Sequence, residues 1–421
     1  MFYFVLRGFN FGLKSAPLHL GTALNPLVDL VRKLFLVPCG RFYDDVLTVD
    51  LRAHCASAQL CLNFFFSLVG FPFSPKKHER CKGANPFLGV VNDFSYLHLG
   101  YVLIRIKEKR RRKLRAELRK VLEDGKMTPA HAARLRGKLY FSTCSTFFGV
   151  GRAALQAFTA RQYNKHGTSR LTPELKVAVE FFIELLGAVP PRRVYVREDG
   201  RPPLYVWTDA MFELKRDGNG VCVCVIDEET GGLFYIGDAE LAFVAYDSID
   251  GTWHTGAKLV GFDVIRQMMP NKKTYIGQLE AMAADAFVHT LPADRLLNRK
   301  AFMWIDNLSA KYALQKGYSK VGDTGKVVNS FKFMQAKRQL RVWFEYVPSE
   351  QNIADLPSRR RWRELHRVID SVSGGAWTCF RYDVVIPSYE SWLSPLGGHS
   401  SAKRRRHGSR GAKRAGRARV D

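Results

Sequence analysis

Four prolines divide the sequence into two parts with different patterns. They flank a charged stretch in the string VPPRRVYVREDGRPP, which runs from residue 189 to residue 203. Proline lacks a backbone N–H donor and fixes φ, so neither a helix nor a central strand continues through such a string. The pattern from about residue 101 to residue 190 is helical, whereas the pattern after residue 203 is rich in strands. We therefore predict a linker at residues 191–203 between separately folded regions.

The region after the linker alternates between strand and helix patterns. Residues 204–236 contain three apolar strand-like strings, LYVWTDAMFE, GVCVCVIDEE and GGLFYIG. Residues 238–275 read as an irregular insertion to which the sequence assigns no role. A helix at IGQLEAMAADAFVHTL, a buried strand AFMWID, two helices and the strand LRVWFEYVP follow. This order predicts an α/β (α+β) domain over residues 204–368, with a mixed five-stranded sheet flanked by helices.

Four acidic residues of this domain lie where the predicted fold brings side chains together. Asp209 lies within the first strand, Glu280 lies in the main helix, Asp306 ends the buried strand and Asp355 follows VPSEQNIA. If the two Asp-bearing strands are neighbours, the four carboxylates converge. Such a cluster of like charges requires compensating cations, and hard oxygen ligands favour magnesium, with manganese as the alternative ion.

Two such ions, about 4 Å apart, activate a water and stabilise the leaving oxygen of a phosphodiester. The alternative interpretation is four unrelated surface or capping acids. Under that interpretation, Asp306 followed by Asn307 is a plain helix cap.

The strings around these acids resemble a known signature. YVWTDA, GQLEAMAA, MWIDNLSAKYAL and VPSEQNIADLPSR are similar, in order and approximate spacing, to the D, E, D, D motif of the ribonuclease H domain of retroelement reverse transcriptases. The resemblance implies that Asp209, Glu280, Asp306 and Asp355 are metal ligands, that the substrate is the RNA strand of an RNA–DNA hybrid and that Arg359 contacts nucleic acid.

One departure from the family pattern lies close to the last acid. Many ribonucleases H carry a histidine loop there, but this chain has no histidine between Phe344 and Asp355. We therefore expect product release or proton handling to differ from those members.

A second acidic motif lies near the N-terminus. The string GRFYDDVLTVD alternates as strand, turn and strand, with Asp44 and Asp45 at the turn. FYDD resembles the catalytic hairpin of reverse transcriptases, with Phe42 in the usual tyrosine position. The resemblance implies a metal-binding role for both aspartates and a partial polymerase palm over residues 1–100.

Neighbouring strings extend this second resemblance. FNFGLKSAP, at residues 9–17, is similar to the segment that touches template and nucleotide, which implies nucleic-acid contacts for Gly12 and Lys14. GFPFSPKKHE looks like the lysine-bearing loop, and NPFLGVVND looks like the primer grip. Lys77 is then the candidate proton donor to the leaving pyrophosphate, with Lys76 as its rival.

The polymerase centre is expected to be incomplete in this chain. The family places a further metal-binding aspartate on a strand before the Gly-containing segment, but no aspartate precedes Asp29. Asp29 itself falls in a predicted helix after that segment. We therefore expect a truncated palm without fingers, vestigial Asp44 and Asp45, and an upstream polypeptide as the possible source of the missing parts.

The basic charge of the chain points to a polyanionic partner. The formal net charge is +26, and residues 105–120 hold ten basic and two acidic side chains in a helical pattern. Nucleic acid is the commonest partner of such an excess, and a membrane surface is the weaker alternative. Residues 101–190 are predicted to form a helical thumb and connection. Its candidate phosphate contacts are Lys109, Arg110, Arg111, Arg112 and Lys113. The alternative is a merely solvated basic face.

The C-terminal extension, residues 369–421, ends in a second basic run that is rich in Gly, Ser and Ala. This composition predicts a disordered tail, either a nuclear-import signal or a nonspecific nucleic-acid clamp. The eight cysteines show no ligand spacing and indicate reduced thiols, and no apolar run is long enough to span a bilayer. We expect an intracellular protein, nuclear or nucleocytoplasmic.

Together these patterns predict a retroelement-derived reverse transcriptase and ribonuclease H fragment. Its expected activity is two-metal hydrolysis of RNA in RNA–DNA hybrids, and DNA polymerase activity is expected to be lost. The alternative is a catalytically silent remnant that still binds nucleic acid.

Overall fold

The computed structural model describes residues 16–77, 80–164, 168–188, 191–197, 200–228, 231–268 and 270–388. The chain divides into two compact units, Met1–Val102 and Leu103–Asp421. The basic tail lies outside the described residues.

The first unit contains two helices and two hairpins. Its elements are α1 (Ala16–Leu34), β1 (Cys39–Phe42), β2 (Asp45–Thr48), α2 (Cys55–Leu68), β3 (Ala84–Phe87), β4 (Val90–Asp93) and the start of β5 (Tyr101–Ile106). Val28 and Val31 of α1 pack with Leu62 and Phe66 of α2 in one apolar core. Of these two helices, the sequence pattern predicts only the first. The apolar run of α2 lacks the polar stripe that marks an amphipathic helix, because Leu60 is exposed.

The second unit begins with a helical region. Its elements are α3 (Glu108–Asp124), α4 (Pro129–Thr146), α5 (Leu155–Tyr163), α6 (Pro173–Ala188) and the short strand β6 (Arg192–Tyr195). Pro129 and Pro173 are the first residues of α4 and α6, the helix position at which proline is favoured. The Thr128 side chain caps α4 by accepting a hydrogen bond from the His131 N–H.

A mixed sheet forms the centre of the rest of this unit. The elements are β7 (Leu204–Leu214), β8 (Cys224–Ile226), β9 (Leu233–Tyr235), β10 (Gly237–Asp247), β11 (Thr252–Leu259), α7 (Phe262–Ile265), α8 (Ile276–Thr290), α9 (Ala293–Leu296), β12 (Lys300–Ile305), α10 (Leu308–Lys316), α11 (Gly322–Lys337), β13 (Arg341–Tyr346), α12 (Asp355–Ser358), α13 (Trp362–Ser373) and β14 (Thr378–Arg381). The six-stranded sheet has the order β13-β12-β7-β10-β11-β14. β7 is parallel to β12 and antiparallel to β10, so the predicted mixed α/β class is confirmed.

Two layers of helices cover the sheet. On one face, α8 packs against the core side chains Leu204 and Val206 of β7. On the other face, Leu365 and Ile369 of α13 pack with Trp253 of β11. Strands β13 and β12 lie at one end of the strand order.

The predicted irregular insertion at residues 238–275 is wrong, because it contains two long strands of the main sheet. β10 is buried on both faces from Ala239 to Ala245, so it lacks the alternation that identifies a strand. The strings that were predicted as the second and third strands instead form the separate hairpin β8–β9.

The ends of the predicted domain also differ from expectation. The stretch predicted as a linker contains β6, and the Tyr195 hydroxyl donates to Asn298 at 3.0 Å. Helix α13 continues past residue 368, and β14 adds a sixth strand parallel to β11. The C-terminal extension is therefore part of the sheet up to this strand. In the part of the chain that the structure describes, no helix has the length and apolarity to cross a membrane.

Candidate active site

Three carboxylates from three different elements converge at one edge of the sheet. The parallel pairing of β7 with β12 places Thr208 opposite Ile305, so Asp209 and Asp306 follow side by side. Helix α8 brings Glu280 to the same place. One carboxylate oxygen from each of the three lies within 4.8 Å of the others. The expectation that the two Asp-bearing strands are neighbours is confirmed.

Burial makes this cluster electrostatically costly. Asp209 and Glu280 are each only 3% exposed. Burial raises the pKa of Asp209 to about 7, assisted by the charges of Asp306 and Asp355 and opposed by a hydrogen bond from Ser358. Burial, together with the charges of Asp209 and Asp306, holds the pKa of Glu280 well above its usual range. The cluster therefore holds carboxylates close together in a poorly solvated site, and a proton or a cation reduces the cost of their charge.

The donor set fits a hard divalent cation. All three residues offer carboxylate oxygens, the ligands that magnesium and manganese take in proteins. Oε2 of Glu280 is buried and has no hydrogen-bond partner among the described residues. A buried oxygen without a donor carries a desolvation cost that a bound cation removes.

Asp355 lies beside the three-carboxylate cluster at the first position of α12. Its Oδ1 accepts a hydrogen bond from Nε of Arg359 at 2.6 Å, and Nη1 of Arg361 lies 3.9 Å from its Oδ2. Its charge also contributes to the raised pKa of Asp209. The fourth predicted ligand is therefore a neighbour of the cluster and is held by arginines, one of them the predicted nucleic-acid contact Arg359.

Two polar residues that the sequence analysis did not select hold Asp209 in place. The hydroxyl of Ser358 donates to Oδ2 of Asp209. Nδ2 of Asn352 donates to the Thr208 carbonyl at 3.0 Å and to Oδ1 of Asp209 at 3.4 Å. Both lie in the string QNIADLPSR. Their role could not be recognised from the sequence, because short polar side chains near an acid follow no characteristic spacing.

The aspartates of the N-terminal motif have a different setting. Phe42 pairs with Asp45 across the hairpin β1–β2, and both Asp44 and Asp45 are exposed. Within the described ranges, the metal-type cluster is that of Asp209, Glu280 and Asp306, and it does not include this pair. The hairpin therefore presents two carboxylates without a third ligand from the described residues.

The other residues predicted for the polymerase part are only partly described. Lys77 ends a short 3-10 turn, Pro75–Lys77, and its side chain lies outside the described residues. Lys76 is exposed. Gly12 and Lys14 lie outside the described residues.

The basic side chains of α3 divide into two kinds. The Arg110 guanidinium lies 4.8 Å from the ring centroid of Phe141, and Arg111 and Arg112 each form a 2.8 Å ion pair with Glu108. Lys109 and Lys113 are exposed. Part of the predicted phosphate-binding set thus also stabilises the helix.

Comparisons with known proteins found likeness among solved structures. No protein-family model matches this sequence, and no curated protein matches it. The ribonuclease H1 of the archaeon Halobacterium salinarum is 14% identical with a TM-score of 0.27, covering 39% of this chain and 99% of its own.

The foamy viral protease-reverse transcriptase, solved with an RNA/DNA hybrid, is 9% identical with a TM-score of 0.32, covering 85% of this chain and 62% of its own. The foamy viral protease-reverse transcriptase dRH, solved with double-stranded DNA, is 12% identical with a TM-score of 0.34, covering 79% of this chain and 49% of its own. This chain thus spans about half to three fifths of the viral chains.

Proposed function

We propose that this chain is a divalent-metal-dependent nuclease that hydrolyses the RNA strand of RNA–DNA hybrids. The observation that carries the proposal is the convergence of Asp209, Glu280 and Asp306 within 4.8 Å, with Asp209 and Glu280 buried and Asp306 partly buried. Oε2 of Glu280 has no hydrogen-bond partner among the described residues. Bound cations would compensate the charge of such a cluster of carboxylates. The resemblance of the surrounding strings to the ribonuclease H signature supports the choice of substrate.

The bound magnesium ions would supply an activated water and stabilise the leaving oxygen of the phosphodiester. Asp209, Glu280 and Asp306 would hold the metal, with Asp355 beside them as the further candidate ligand. Ser358 fixes the orientation of Asp209 through its hydrogen bond. The exposed Lys109 and Lys113 of α3 would contact phosphates, which positions a duplex without reading its sequence.

The test is cleavage of a labelled RNA–DNA hybrid by the full chain with magnesium. We expect cleavage of the RNA strand in the hybrid, with double-stranded RNA and double-stranded DNA left intact. Asp306→Asn should abolish cleavage, because it removes one ligand charge at constant shape. The matched control is Glu123→Gln, an exposed acid of α3, which should cleave as the unmutated protein does.

Metal binding gives a readout that is independent of turnover. Manganese should raise the melting temperature of the unmutated protein, since a ligand that binds only the folded state stabilises it. This increase should be smaller in Asp306→Asn and unchanged in Glu123→Gln. Manganese binding without hybrid cleavage would instead favour the alternative of a silent nucleic-acid-binding remnant.

A further inference from the structure

An aromatic surface extends along the sheet from the carboxylate cluster. Alternate residues of a strand point to the same face. On β7, Tyr205 and Trp207 share a face with Asp209; on β12, Phe302 and Trp304 lie on that face, and Asp306 follows directly after the strand. In each case the aromatic residues precede the aspartate along the chain.

The rings of this surface stack across neighbouring strands. The centroids of Trp207 and Trp304 lie 4.9 Å apart with planes 14° from parallel, and those of Tyr205 and Phe302 lie 5.8 Å apart at 16°. On β13, Trp343 pairs in register with Phe302 and extends the series to a third strand. We call Tyr205, Phe302, Trp304 and Trp343 the aromatic face.

The aromatic face is open at its β13 end. Trp207 packs against the cluster that contains Leu365 of α13, so α13 covers the β7 side. Trp343, by contrast, is 63% exposed. Its indole Nε1 donates to the Glu345 carboxylate, which keeps the large ring in a fixed position on the surface. Trp343 is thus the exposed end of a row of rings that leads to the carboxylate cluster.

Basic side chains lie at the end of the aromatic face opposite to the carboxylates. Lys300 and Arg341 pair in register one step before Phe302 and Trp343, on the same face. The Arg341 guanidinium also lies 4.3 Å from the ring centroid of Tyr195. Arg193 and Arg201 donate to the oxygens of Asn298 beside it, at 3.0 and 3.1 Å.

The surface therefore runs from carboxylates through aromatic rings to cations. Glu345 is an acid within this surface, and Lys311 lies 3.9 Å from its carboxylate. Stacked rings next to basic side chains are the means by which proteins hold unpaired bases and their phosphates without sequence preference.

We propose that the aromatic face binds the single-stranded continuation of a nucleic acid strand whose paired part lies at the carboxylate cluster. The inference rests on the proposed function, because the cluster marks the place of the hybrid. Bases stack on Trp343 and its neighbours, and the phosphates that follow lie near Lys300 and Arg341. A hybrid with an unpaired extension should therefore bind more tightly than a blunt one.

The experiment compares the affinity of the full chain for a blunt RNA–DNA hybrid and for the same hybrid with an unpaired extension of about six nucleotides at either end. Fluorescence anisotropy is measured with Asp306→Asn as the parent protein, so that no strand is cleaved. The extension should raise the affinity of the parent protein, and Trp343→Ala in this parent should reduce that increase by about five- to tenfold. This is the factor expected for the loss of one stacked base. Trp343→Phe should retain most of the gain, since it keeps an aromatic ring.

Two controls separate the aromatic face from other binding surfaces. Tyr163→Ala removes a side chain on α5 that is 70% exposed, and it should leave the gain unchanged. Binding by the basic tail weakens steeply with salt, whereas the gain that depends on Trp343 should persist at higher salt.

The outcomes distinguish this inference from the proposed function. A full extension gain in Trp343→Ala overturns the inference, whether or not the hybrid is cleaved. A change in sedimentation with the gain intact would also overturn it, because the face would then be a contact between copies of the chain. A gain that depends on Trp343 supports the inference, even if the unmutated protein cleaves no hybrid and the proposed function fails.

Discussion

The two aspartate-containing motifs of this chain have opposite physical settings. Asp44 and Asp45 are adjacent in sequence, lie at the turn of a short hairpin and are exposed to water. Asp209 and Asp306 are nearly a hundred residues apart, yet they lie side by side with Glu280 in a buried cluster. Adjacency in sequence therefore did not identify the stronger candidate for metal binding.

The difference between the motifs lies in the cost of the charge. An exposed carboxylate is solvated and requires no partner, so its position alone says little about chemistry. A carboxylate that is 3% exposed, as Asp209 and Glu280 are, loses that solvation and is kept only where a cation or a proton compensates it. Burial, together with convergence from separate elements, is what makes the second motif informative.

The largest expected effect contrasts the two motifs directly. Asp209→Asn should reduce the rate of hybrid cleavage by at least about a hundredfold, because changing even the partners of metal ligands costs about ten- to a hundredfold. The double variant Asp44→Asn, Asp45→Asn should leave the rate unchanged. The measurement is the initial rate of RNA-strand cleavage at saturating magnesium.

Circular dichroism of both proteins serves as the control for folding in this comparison. If the double variant lost hybrid cleavage while remaining folded, the contrast between a solvated pair and a working cluster would be wrong.

The next effect is a dependence of stability on pH. Because the folded-state pKa of Asp209 is raised from 3.8 to about 7, the folded protein holds a proton that the unfolded chain has released between these values. Without metal, the free energy of unfolding should therefore fall as pH rises from about 4 to about 7. The contribution of this carboxyl is on the order of 3 kcal/mol.

Urea unfolding in the presence of a chelator measures this contribution as the difference between the unmutated protein and Asp209→Asn. Taking the difference removes the titration of other acids. Adding magnesium should reduce the fall, since the cation replaces the proton as the compensating charge. An equal pH profile for Asp209→Asn and the unmutated protein would contradict the assignment.

Much of the buried cluster was predictable from the sequence. Asp209, Glu280 and Asp306 each lie on an element whose type the pattern identified correctly: a strand, a helix and the end of a buried strand. The aspartates then meet because β7 and β12 are parallel neighbours whose register pairs Thr208 with Ile305, the residues just before Asp209 and Asp306.

The sequence did not predict β10 and β14, because neither strand shows an alternating pattern of apolar and polar residues. β10 is buried on both faces, so its apolar run shows no alternation, and it was assigned to an insertion. β14 joins the sheet through tertiary packing, in which Val384 is buried against Gly256, where an added Cβ would lie 2.6 Å from the valine. No local pattern near residue 378 reports that contact.

The hydrogen bond from Ser358 to Asp209 was also beyond sequence reasoning, and it gives the smallest of the expected effects. Ser358 is fully buried, and its hydroxyl lowers the pKa of Asp209 against the effect of burial. Ser358→Ala should therefore favour the protonated carboxyl and weaken metal binding by about tenfold. We expect the magnesium concentration for half-maximal hybrid cleavage to rise, while the rate at saturating magnesium changes little.

This split distinguishes a positioning residue from one needed only for folding. A merely structural role for Ser358 would lower the amount of active protein and leave the magnesium dependence unchanged. The matched control is Ser349→Ala, an exposed serine in the 3-10 turn Ser349–Gln351 just before the site, which should shift neither quantity. The exposed hairpin aspartates have no such buried donor among the described contacts. A shift in magnesium dependence that occurs in Ser358→Ala and not in Ser349→Ala would therefore show that the surroundings of a carboxylate decide its role.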